Sequence, residues 1–351
     1  MSRQAGVGTT VDARSPSHLP AMGSGCVDDP VYAVGETMTL LYSSERFLDH
    51  ETGRHPERPE RIRQILRHLE RTGLDQRCAR PEWRPASLEQ LSRVHQQGYV
   101  AEIERYAAQG GGRIEEDTVL SPASYDVARL AAGAVADAVT QILQGTDKQA
   151  LCLVRPPGHH ALEQSAMGFC LFNNVAVGAR VATREFELDR VLIVDWDVHH
   201  GNGTQASFWE DPQVGFFSIH RWPFYPGTGD RHETGSGRGL GNILNAPVEY
   251  GTSRADYLAQ FRRDLEDLAS RLKPQLVIIS AGFDSHRDDP VGSLGLETED
   301  FEPLTNAVLD IADQYAGGKV VSVLEGGYNT GVLAGCVALH LETLLQRQGN
   351  S

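Results

Sequence analysis

The sequence lacks the features that mark membrane, secreted and nucleic-acid-binding proteins. No apolar run approaches the roughly 18 residues of a membrane span, and residues 1–30 lack the apolar core of a signal peptide. The five cysteines are unevenly spaced without a CxxC pair, and Cys152 and Cys170 lie in apolar runs as core thiols, which fits a reducing compartment. Because 47 acidic residues outnumber 32 basic ones, the formal net charge of −15 disfavours contact with a phosphate backbone. We therefore expect a cytoplasmic protein with neither a membrane nor a nucleic acid as its partner.

The composition is ordinary for a globular protein, with 40% apolar and 23% charged side chains among 351 residues. Residues 1–36 are rich in Gly, Ser, Pro and Asp, which is typical of a mobile tail. No repeat or linker follows, so we expect residues 37–351 to form a single domain. The sequence leaves the oligomeric state open, a homo-oligomer included.

The hydrophobic pattern predicts an α/β fold. Apolar residues recur at helical spacing in residues 59–74, 89–109 and 121–145. After a short β-prone run at 37–44, near-continuous apolar runs typical of fully buried strands occupy residues 150–154, 190–194, 214–219, 275–280 and 319–324. Buried strands that alternate with helices form a mainly parallel sheet.

Chemically active side chains follow four of these runs. They are His159 and His160 after the first, Asp195, Asp197 and His199 after the second, Asp284 after the fourth, and Tyr328 after the fifth. Parallel sheets bind ligands outside the carboxyl ends of their strands. We therefore expect these side chains to converge on one site.

The residue types indicate a metal-assisted hydrolase. Asp197 and His199 stand two apart and face the same side of an extended chain, and Asp284 can complete a three-ligand catalytic site. One His with two carboxylates suits Zn²⁺, although Fe²⁺ or Co²⁺ would accept the same ligands. An imidazole from the His159–His160 pair can act as general base and then acid.

Five motifs, in this order, carry a resemblance to a known family. They are "RPPGHHA", "GFCLFNN", "DWDVHHGNGTQ", "SAGFDSHRDDPVG" and "LEGGYN". They resemble the histone deacetylase superfamily, specifically its class II and bacterial amidohydrolase branch. The resemblance implies an arginase/deacetylase-like three-layer fold with a central, mainly parallel eight-stranded sheet. It also implies hydrolysis of an N-acyl amine with one Zn²⁺ per chain.

The same resemblance implies roles for individual residues. The metal ligands match Asp197, His199 and Asp284. The general base and acid matches His160, beside Asn202; its electrostatic companion matches His159, paired with Asp195; and the donor to the substrate carbonyl matches Tyr328. The substrate channel matches Phe169 and Tyr225, with Gly168 beside the first and Asp117 at the rim. A structural K⁺ would involve Asp195, Asp197, His199, Ser218 and Ile219. Arg61 resembles an arginine that lines the exit path of acetate.

Three alternatives concern the substrate and the chemistry. In a polyamine-selective branch, a glutamate stands where this chain has Val291, so we expect acyl-lysine in proteins or peptides rather than acetylpolyamines or other small acylated amines. A binuclear manganese ureohydrolase shares the fold, and His286 or Asp288 is a candidate ligand for its second ion. A metal-holding or acyl-lysine-reading module without turnover is disfavoured, because Tyr328 and the His pair are both intact.

Overall fold

The structure is a computed structural model and describes residues 39–349 together with Gly8. Seven parallel strands form its central sheet. The expected mobile tail of residues 1–36 lies outside the described residues, apart from Gly8. The described residues contain nine strands, of which β2 and β3 lie outside this sheet: β1 (Leu40–Tyr42), β2 (Gly112–Arg113), β3 (Val119–Leu120), β4 (Gln149–Cys152), β5 (Val191–Asp195), β6 (Val214–Arg221), β7 (Ile243–Val248), β8 (Leu276–Ala281) and β9 (Val320–Leu324). The sheet order is β1-β4-β9-β8-β5-β6-β7, and β2 pairs with β3 in a separate antiparallel hairpin.

Helices flank the sheet, as the alternating pattern predicts. They are α1 (Glu60–Thr72), α2 (Leu88–Ser92), α3 (Gln97–Ala108), α4 (Ser124–Gln144), α5 (Asn174–Arg184), α6 (Asn202–Ser207), α7 (Arg254–Leu272), α8 (Phe301–Tyr315) and α9 (Thr330–Gly349). Helices α4 and α5 pack together against the sheet, whereas α1, α7, α8 and α9 form a second packed group. In residues 39–349, no helix is both long and apolar enough to cross a membrane. The α/β class and the parallel sheet are confirmed.

The expected count of eight strands is wrong for the described part of the chain. An eighth position exists beside β1, where the Ala79 N–H donates to Thr39 O at 3.2 Å and the Leu41 N–H donates to Ala79 O at 2.8 Å. In a parallel ladder, the next donor would be residue 81, and Pro81 has no N–H. The eighth strand is therefore reduced to a single parallel bridge between Leu40 and Ala79.

The helix predicted over residues 89–109 is two helices. A capping box between Ser87 and Gln90 starts α2, which ends at Ser92. The Gln96 N–H then donates to Glu163 O at 2.9 Å, and His95 Nδ1 lies 2.9 Å from Leu162 O. These contacts with a distant segment hold Gln96 in an extended conformation before α3 begins. Tertiary hydrogen bonds outweigh the helical periodicity of the sequence.

A fully buried ion-pair cluster fixes the segment before α1 to the end of β4. Arg155 donates to both carboxylate oxygens of Glu57, at 2.5 and 2.9 Å, and to Phe47 O at 2.7 Å. Arg61 donates to the same carboxylate at 3.3 Å. Burial disfavours the charged carboxylate, but the two guanidinium groups outweigh it and lower the pKa of Glu57 from 4.5 to about 2. Glu57 therefore stays ionised at neutral pH.

We predict that Glu57→Gln destabilises the protein by about 3–5 kcal/mol at pH 7, because Arg155 and Arg61 lose the carboxylate they share. The folded pKa lies below the unfolded value, so this stabilisation is present above about pH 4.5 and is lost as the pH falls towards 2. Chemical denaturation at several pH values should therefore show the difference between the wild type and the variant shrinking in acid.

The control for this prediction is Glu60→Gln, because Glu60 forms a partly exposed ion pair with Arg63 only a turn away. We expect it to change the free energy of unfolding by about 0–1 kcal/mol. Equal losses of unfolding free energy in the two variants would contradict the prediction that the buried Glu57 cluster stabilises the fold more than the exposed ion pair.

Candidate metal centre and active-site cavity

The ends of two neighbouring strands, β5 and β8, place the predicted metal ligands together. Strand β5 lies between β6 and β8, and Asp195 at its end pairs in register with Ser218 and Ser280. The chain after β5 supplies Asp197 and His199, and the chain after β8 supplies Asp284. One ligand atom from each of these three residues lies within 4.8 Å of the others.

The ligand atoms have the spacing that one metal ion requires. His199 Nδ1 lies 3.0 Å from Asp197 Oδ1 and 3.1 Å from Asp284 Oδ2. Ligand atoms about 2.0–2.1 Å from a tetrahedral zinc ion stand about 3.3 Å apart. Asp284 Oδ2 is buried and accepts no hydrogen bond from the described residues. These three residues therefore fit a divalent cation, which would supply the missing partner of that oxygen.

The electrostatics of the cluster also favour a cation. Burial, reinforced by the neighbouring Asp197, raises the pKa of Asp284 to about 7. Burial acts in the same direction on Asp197, but His159 and His199 outweigh it and lower the pKa of that carboxyl. Two carboxylates so close together repel each other unless positive charge lies between them. The two carboxyl groups therefore favour a cation between them.

Two glycines make room for these carboxylates. A Cβ atom on Gly326 would lie 2.2 Å from Asp284 Oδ2 and 2.5 Å from Asp197 Oδ2, and one on Gly282 would lie 2.2 Å from Asp197 Oδ2. The Gly326 N–H uses this proximity to donate to Asp197 Oδ2 at 2.8 Å. Any larger residue at either position would displace a ligand.

The adjacent histidines have different partners. His159 Nδ1 donates to Asp195 Oδ2 at 3.0 Å, whereas His160 Nδ1 donates to Asn202 Oδ1 at 2.7 Å. Burial lowers the pKa of His159, but Asp195 and Asp197 outweigh it and raise the pKa to about 10. Burial and the neighbouring imidazoles of His159 and His199 lower the pKa of His160 well below 6.5. His160 is therefore the neutral member, with Nε2 free to accept a proton.

Tyr328 presents an unpaired hydroxyl to the same space. Its ring packs edge-on against Phe169 at 5.5 Å between centroids, and the Arg61 guanidinium lies 5.0 Å from its centroid. The hydroxyl makes no hydrogen bond to any described residue. Burial, opposed by Arg61, raises the pKa of Tyr328 well above 10. The phenol therefore stays protonated, as a hydrogen-bond donor with no acceptor in the described part of the chain.

A cavity of about 210 Å³ leads to these groups. Its lining contains all five residues predicted to bind substrate, together with His160, His199, Tyr328 and Phe224. The five are Asp117, Gly168, Phe169, Tyr225 and Val291. A cavity walled by aromatic rings, with polar groups at one end, suits an apolar chain that carries a polar head.

Phe224 is a wall residue that sequence reasoning missed, as it missed the contact of Arg221 with the Phe224 ring. The Phe224 ring stacks on His199 at 5.3 Å, with 17° between the ring planes. The Arg221 guanidinium lies 4.2 Å from the centroid of Phe224 and 4.6 Å from that of Tyr250, and it donates to Gly292 O at 3.1 Å. The aromatic-rich run "WPFYPG" could have indicated a second aromatic ring in the wall beside Tyr225. Nothing in the sequence indicated that Arg221, at the end of β6, packs on that ring.

Asp117 and Arg61 are both held by protein contacts. Asp117 Oδ1 accepts from the Gly168 N–H at 3.1 Å and from the Thr118 hydroxyl at 2.9 Å. Arg61 is buried and donates to Gly327 O at 2.7 Å, and to Glu325 O as well. Asp117 therefore supports the Gly168 wall, and Arg61 supports the backbone before Tyr328. The substrate contact of Asp117 and the acetate path along Arg61 stay predictions.

Glu325 is a further site residue that sequence reasoning did not select. Its Oε2 accepts from the N–H groups of Gly158 and His159, at 2.7 and 3.2 Å, and its Oε1 accepts from Ser280 Oγ at 3.2 Å. Glu325 is completely buried, and this burial raises its pKa to about 7. An acidic residue directly after a buried strand was the available signal. Its carboxylate fixes the loop that carries the histidine pair.

His200 belongs to a network behind the cavity. Its Nδ1 lies 2.8 Å from Thr228 Oγ1, and its Nε2 lies 3.0 Å from Gln205 Oε1. Gln205 Nε2 donates to Glu233 Oε2 at 2.6 Å, and that carboxylate accepts from the Gly229 N–H. The network fixes residues 228–233, which follow the wall residue Tyr225.

The structure leaves the predicted K⁺ site as a prediction and weakens the binuclear alternative. Asp195 at the end of β5 pairs in register with Ser218 of β6, Ile219 follows Ser218 in that strand, and Asp197 and His199 follow β5. His286 Nδ1 accepts from the Asp288 N–H at 3.1 Å, and its Nε2 lies 3.4 Å from Thr298 Oγ1. Within residues 39–349, Asp197, His199 and Asp284 are the sole group of three with metal-ligand spacing.

Comparison with known proteins places this site in a family. Residues 55–344 match the histone deacetylase domain. The chain is 42% identical over 302 residues to the human "Polyamine deacetylase HDAC10", covering 82% of this chain but 44% of that protein. It is 38% identical over 291 residues to the "Histone deacetylase-like amidohydrolase" of Pseudomonas aeruginosa, covering 83% of this chain and 77% of that protein.

A solved structure gives the same result for the fold. The HD domain of HDA15 superimposes with a TM-score of 0.83 at 38% identity, covering 89% of this chain and 90% of that one. The similar proteins are named as deacetylases or as an amidohydrolase, which confirms the predicted class of enzyme, a hydrolase of amide bonds. Match, fold and enzyme class agree, and the chain belongs to the histone deacetylase family.

Proposed function

We propose that residues 37–351 form one catalytic domain, a metal-dependent deacylase that removes acetyl or other acyl groups from the side-chain amine of lysine in proteins or peptides. The observation that carries this proposal is the arrangement at the cavity floor. The three metal-ligand residues, the neutral His160 and the unpaired Tyr328 hydroxyl meet at the end of an aromatic-walled cavity. A narrow apolar cavity admits a lysine side chain and presents its amide to the polar floor.

Asp197, His199 and Asp284 would hold the metal, with Zn²⁺ favoured and Fe²⁺ or Co²⁺ also acceptable to these ligands. The bound cation would supply Lewis-acid polarisation of the acyl carbonyl and lower the pKa of water. The carboxylate oxygens and the imidazole are oriented beforehand, because backbone N–H groups of Val198, His199 and Gly326 already bind the carboxylates.

His160 moves the proton. It is neutral at pH 7, and its Nδ1–H is committed to Asn202, so Nε2 accepts the proton of the attacking water. The same nitrogen then delivers that proton to the amine that leaves. His159, held charged by Asp195, stabilises the negative charge that develops nearby.

Tyr328 stabilises the carbonyl oxygen. Its phenol is protonated and has no acceptor among the described residues, so it is available to the oxygen of the acyl group as that oxygen becomes negative. Phe169 packs against the Tyr328 ring and fixes its orientation. The hydroxyl therefore reaches its position without a reorganisation of the site.

We predict that Tyr328→Phe lowers kcat by about 10²–10³-fold, the loss typical of one oxyanion donor. The phenyl ring keeps its contact with Phe169, so the metal content should stay at the wild-type value. Acetate release from an acetyl-lysine peptide measures kcat, and elemental analysis measures the metal content. Tyr250→Phe is the control, since Tyr250 is 68% exposed. Full activity of Tyr328→Phe would remove Tyr328 from the mechanism.

We predict that chelation abolishes activity and that one equivalent of Zn²⁺ per chain restores it, because the three ligands hold a single ion. Asp284→Asn should weaken metal binding by removing a charged ligand, whereas Asp288→Asn, at an exposed neighbour, should not. Two tightly bound ions per chain would instead support the ureohydrolase chemistry.

The substrate preference depends on Val291 at the cavity wall. An apolar side chain there offers no attraction to the second ammonium of an acetylpolyamine. The similarity to a protein named as a polyamine deacetylase makes acetylpolyamines the alternative substrate to test. We predict that the wild type prefers acetyl-lysine peptides, and that Val291→Glu shifts the kcat/KM ratio towards acetylspermidine by about 10-fold, which corresponds to 1.4 kcal/mol.

Val291→Gln is the matched control, since it has nearly the same shape as glutamate without the charge. It should leave the ratio near the wild-type value. A wild type that prefers acetylspermidine would overturn the proposed substrate while leaving the proposed deacylase chemistry intact.

A further inference from the structure

Asp289 connects the cavity wall to the backbone of Tyr328. The carboxylate is 9% exposed and accepts four backbone hydrogen bonds. Oδ1 accepts from the N–H groups of Val291 and Gly292, at 2.9 and 3.0 Å. Oδ2 accepts from those of Tyr328 and Asn329, at 2.6 and 3.3 Å. One side chain therefore holds two segments that lie far apart in the sequence.

The bond to the Tyr328 N–H is the short one, and it has a specific consequence. The two residues before Tyr328 are glycines, and Gly327 adopts a left-handed φ of +118°. A glycine pair leaves the direction of the next side chain loosely defined. The Tyr328 hydroxyl makes no hydrogen bond within residues 39–349, so contacts of the ring and this backbone bond set its position.

Other contacts between the two segments do not replace this one. The Asn329 side chain donates to Asp288 O at 3.0 Å at the surface, and the Phe283 N–H donates to Gly326 O at 3.1 Å deeper inside. Neither involves the backbone of Tyr328 or Val291. Asp289 alone, among residues 39–349, binds the N–H groups of both.

We propose that Asp289 is a positioning residue that sets the Tyr328 hydroxyl and the Val291 wall relative to each other. This inference rests on the proposed function, in which Tyr328 donates to the acyl oxygen and Val291 contacts the substrate. Asp289 does not touch the reacting atoms, since its two oxygens are occupied by backbone N–H groups. It acts through Tyr328.

The test is Asp289→Asn. An amide has a single acceptor oxygen, so its NH₂ group must face one of the two pairs of backbone donors and push that segment away. We expect kcat on an acetyl-lysine peptide to fall by about 10–100-fold, since a displacement of about 1 Å can cost about 10²-fold. KM should change less than about 3-fold, because the aromatic walls that bind the chain remain.

Asp288→Asn is the matched control, because Asp288 is adjacent in sequence but 59% exposed, and its carboxylate has one weak ion pair with Arg287 at 3.8 Å. It should retain wild-type kcat. Metal content and thermal unfolding of both variants are measured alongside. Should Asp289→Asn fail to fold, Asp289→Ser takes its place, as a hydroxyl accepts from one pair without presenting an NH₂ group to the other.

A double-mutant cycle separates positioning from a general structural role. If Asp289 acts through the Tyr328 hydroxyl, the same substitution in the Tyr328→Phe background should cost less than about 3-fold in kcat. An undiminished loss in that background, or wild-type kcat for Asp289→Asn, would overturn the proposal.

Failure of the proposed function has a different signature. A wild type inactive on acyl-lysine peptides, or a fully active Tyr328→Phe, would refute the role of Tyr328 and with it this inference. Hydrogen exchange then tests only whether Asp289 holds the backbone around Tyr328. Faster exchange at residues 326–329 in Asp289→Asn, but not in Asp288→Asn, supports this backbone contact, and equal exchange refutes it.

Discussion

Buried negative charge at the carboxyl edge of the sheet is the constraint on which the rest of the site depends. Four completely buried carboxyl groups meet there: Asp195, Asp197, Asp284 and Glu325. Each would pay a desolvation cost, and neighbouring carboxylates repel one another. The protein offsets this with the imidazoles of His159 and His199, whose pKa values the neighbouring carboxylates raise, and with backbone N–H groups. The remaining negative charge is concentrated at Asp197 and Asp284, where a divalent cation fits.

The same compensation shapes the cavity. The Gly158 N–H reaches Glu325, the Val198 N–H reaches Asp284, and the Gly326 N–H reaches Asp197. Each donor belongs to a loop that follows a strand, so each loop is drawn across the edge of the sheet. Those loops carry the histidine pair, His199 and Tyr328. The loops that neutralise the carboxylates are therefore the loops that place the reactive groups.

Sequence patterns predicted which residues meet at the strand ends, but not the contacts that depend on the direction in which each side chain points. The order of residue types after the apolar runs located Asp197, His199 and Asp284, because parallel strands bring their ends together. Asp288 and Asp289 look alike in "HRDDPVG", and only burial separates the exposed side chain from the one that binds four N–H groups. The eighth strand is reduced to one bridge because Pro81 has no N–H to donate. The sequence shows this proline, but its effect can be inferred only once Ala79 is known to lie beside β1.

The adjacent histidines differ in charge, and the side chain that each one binds contributes to this difference. His159 and His160 share the same loop, and their rings lie 4.0 Å apart. Asp195 offers His159 a carboxylate, which favours the imidazolium, whereas Asn202 offers His160 a neutral oxygen that fixes the tautomer and supports the charged form too weakly to offset burial and the imidazoles of His159 and His199. Charge on His159 then disfavours charge on His160. The pair therefore holds one positive charge and one neutral imidazole, and the carboxylate at position 195, which position 202 lacks, decides which of the two is charged.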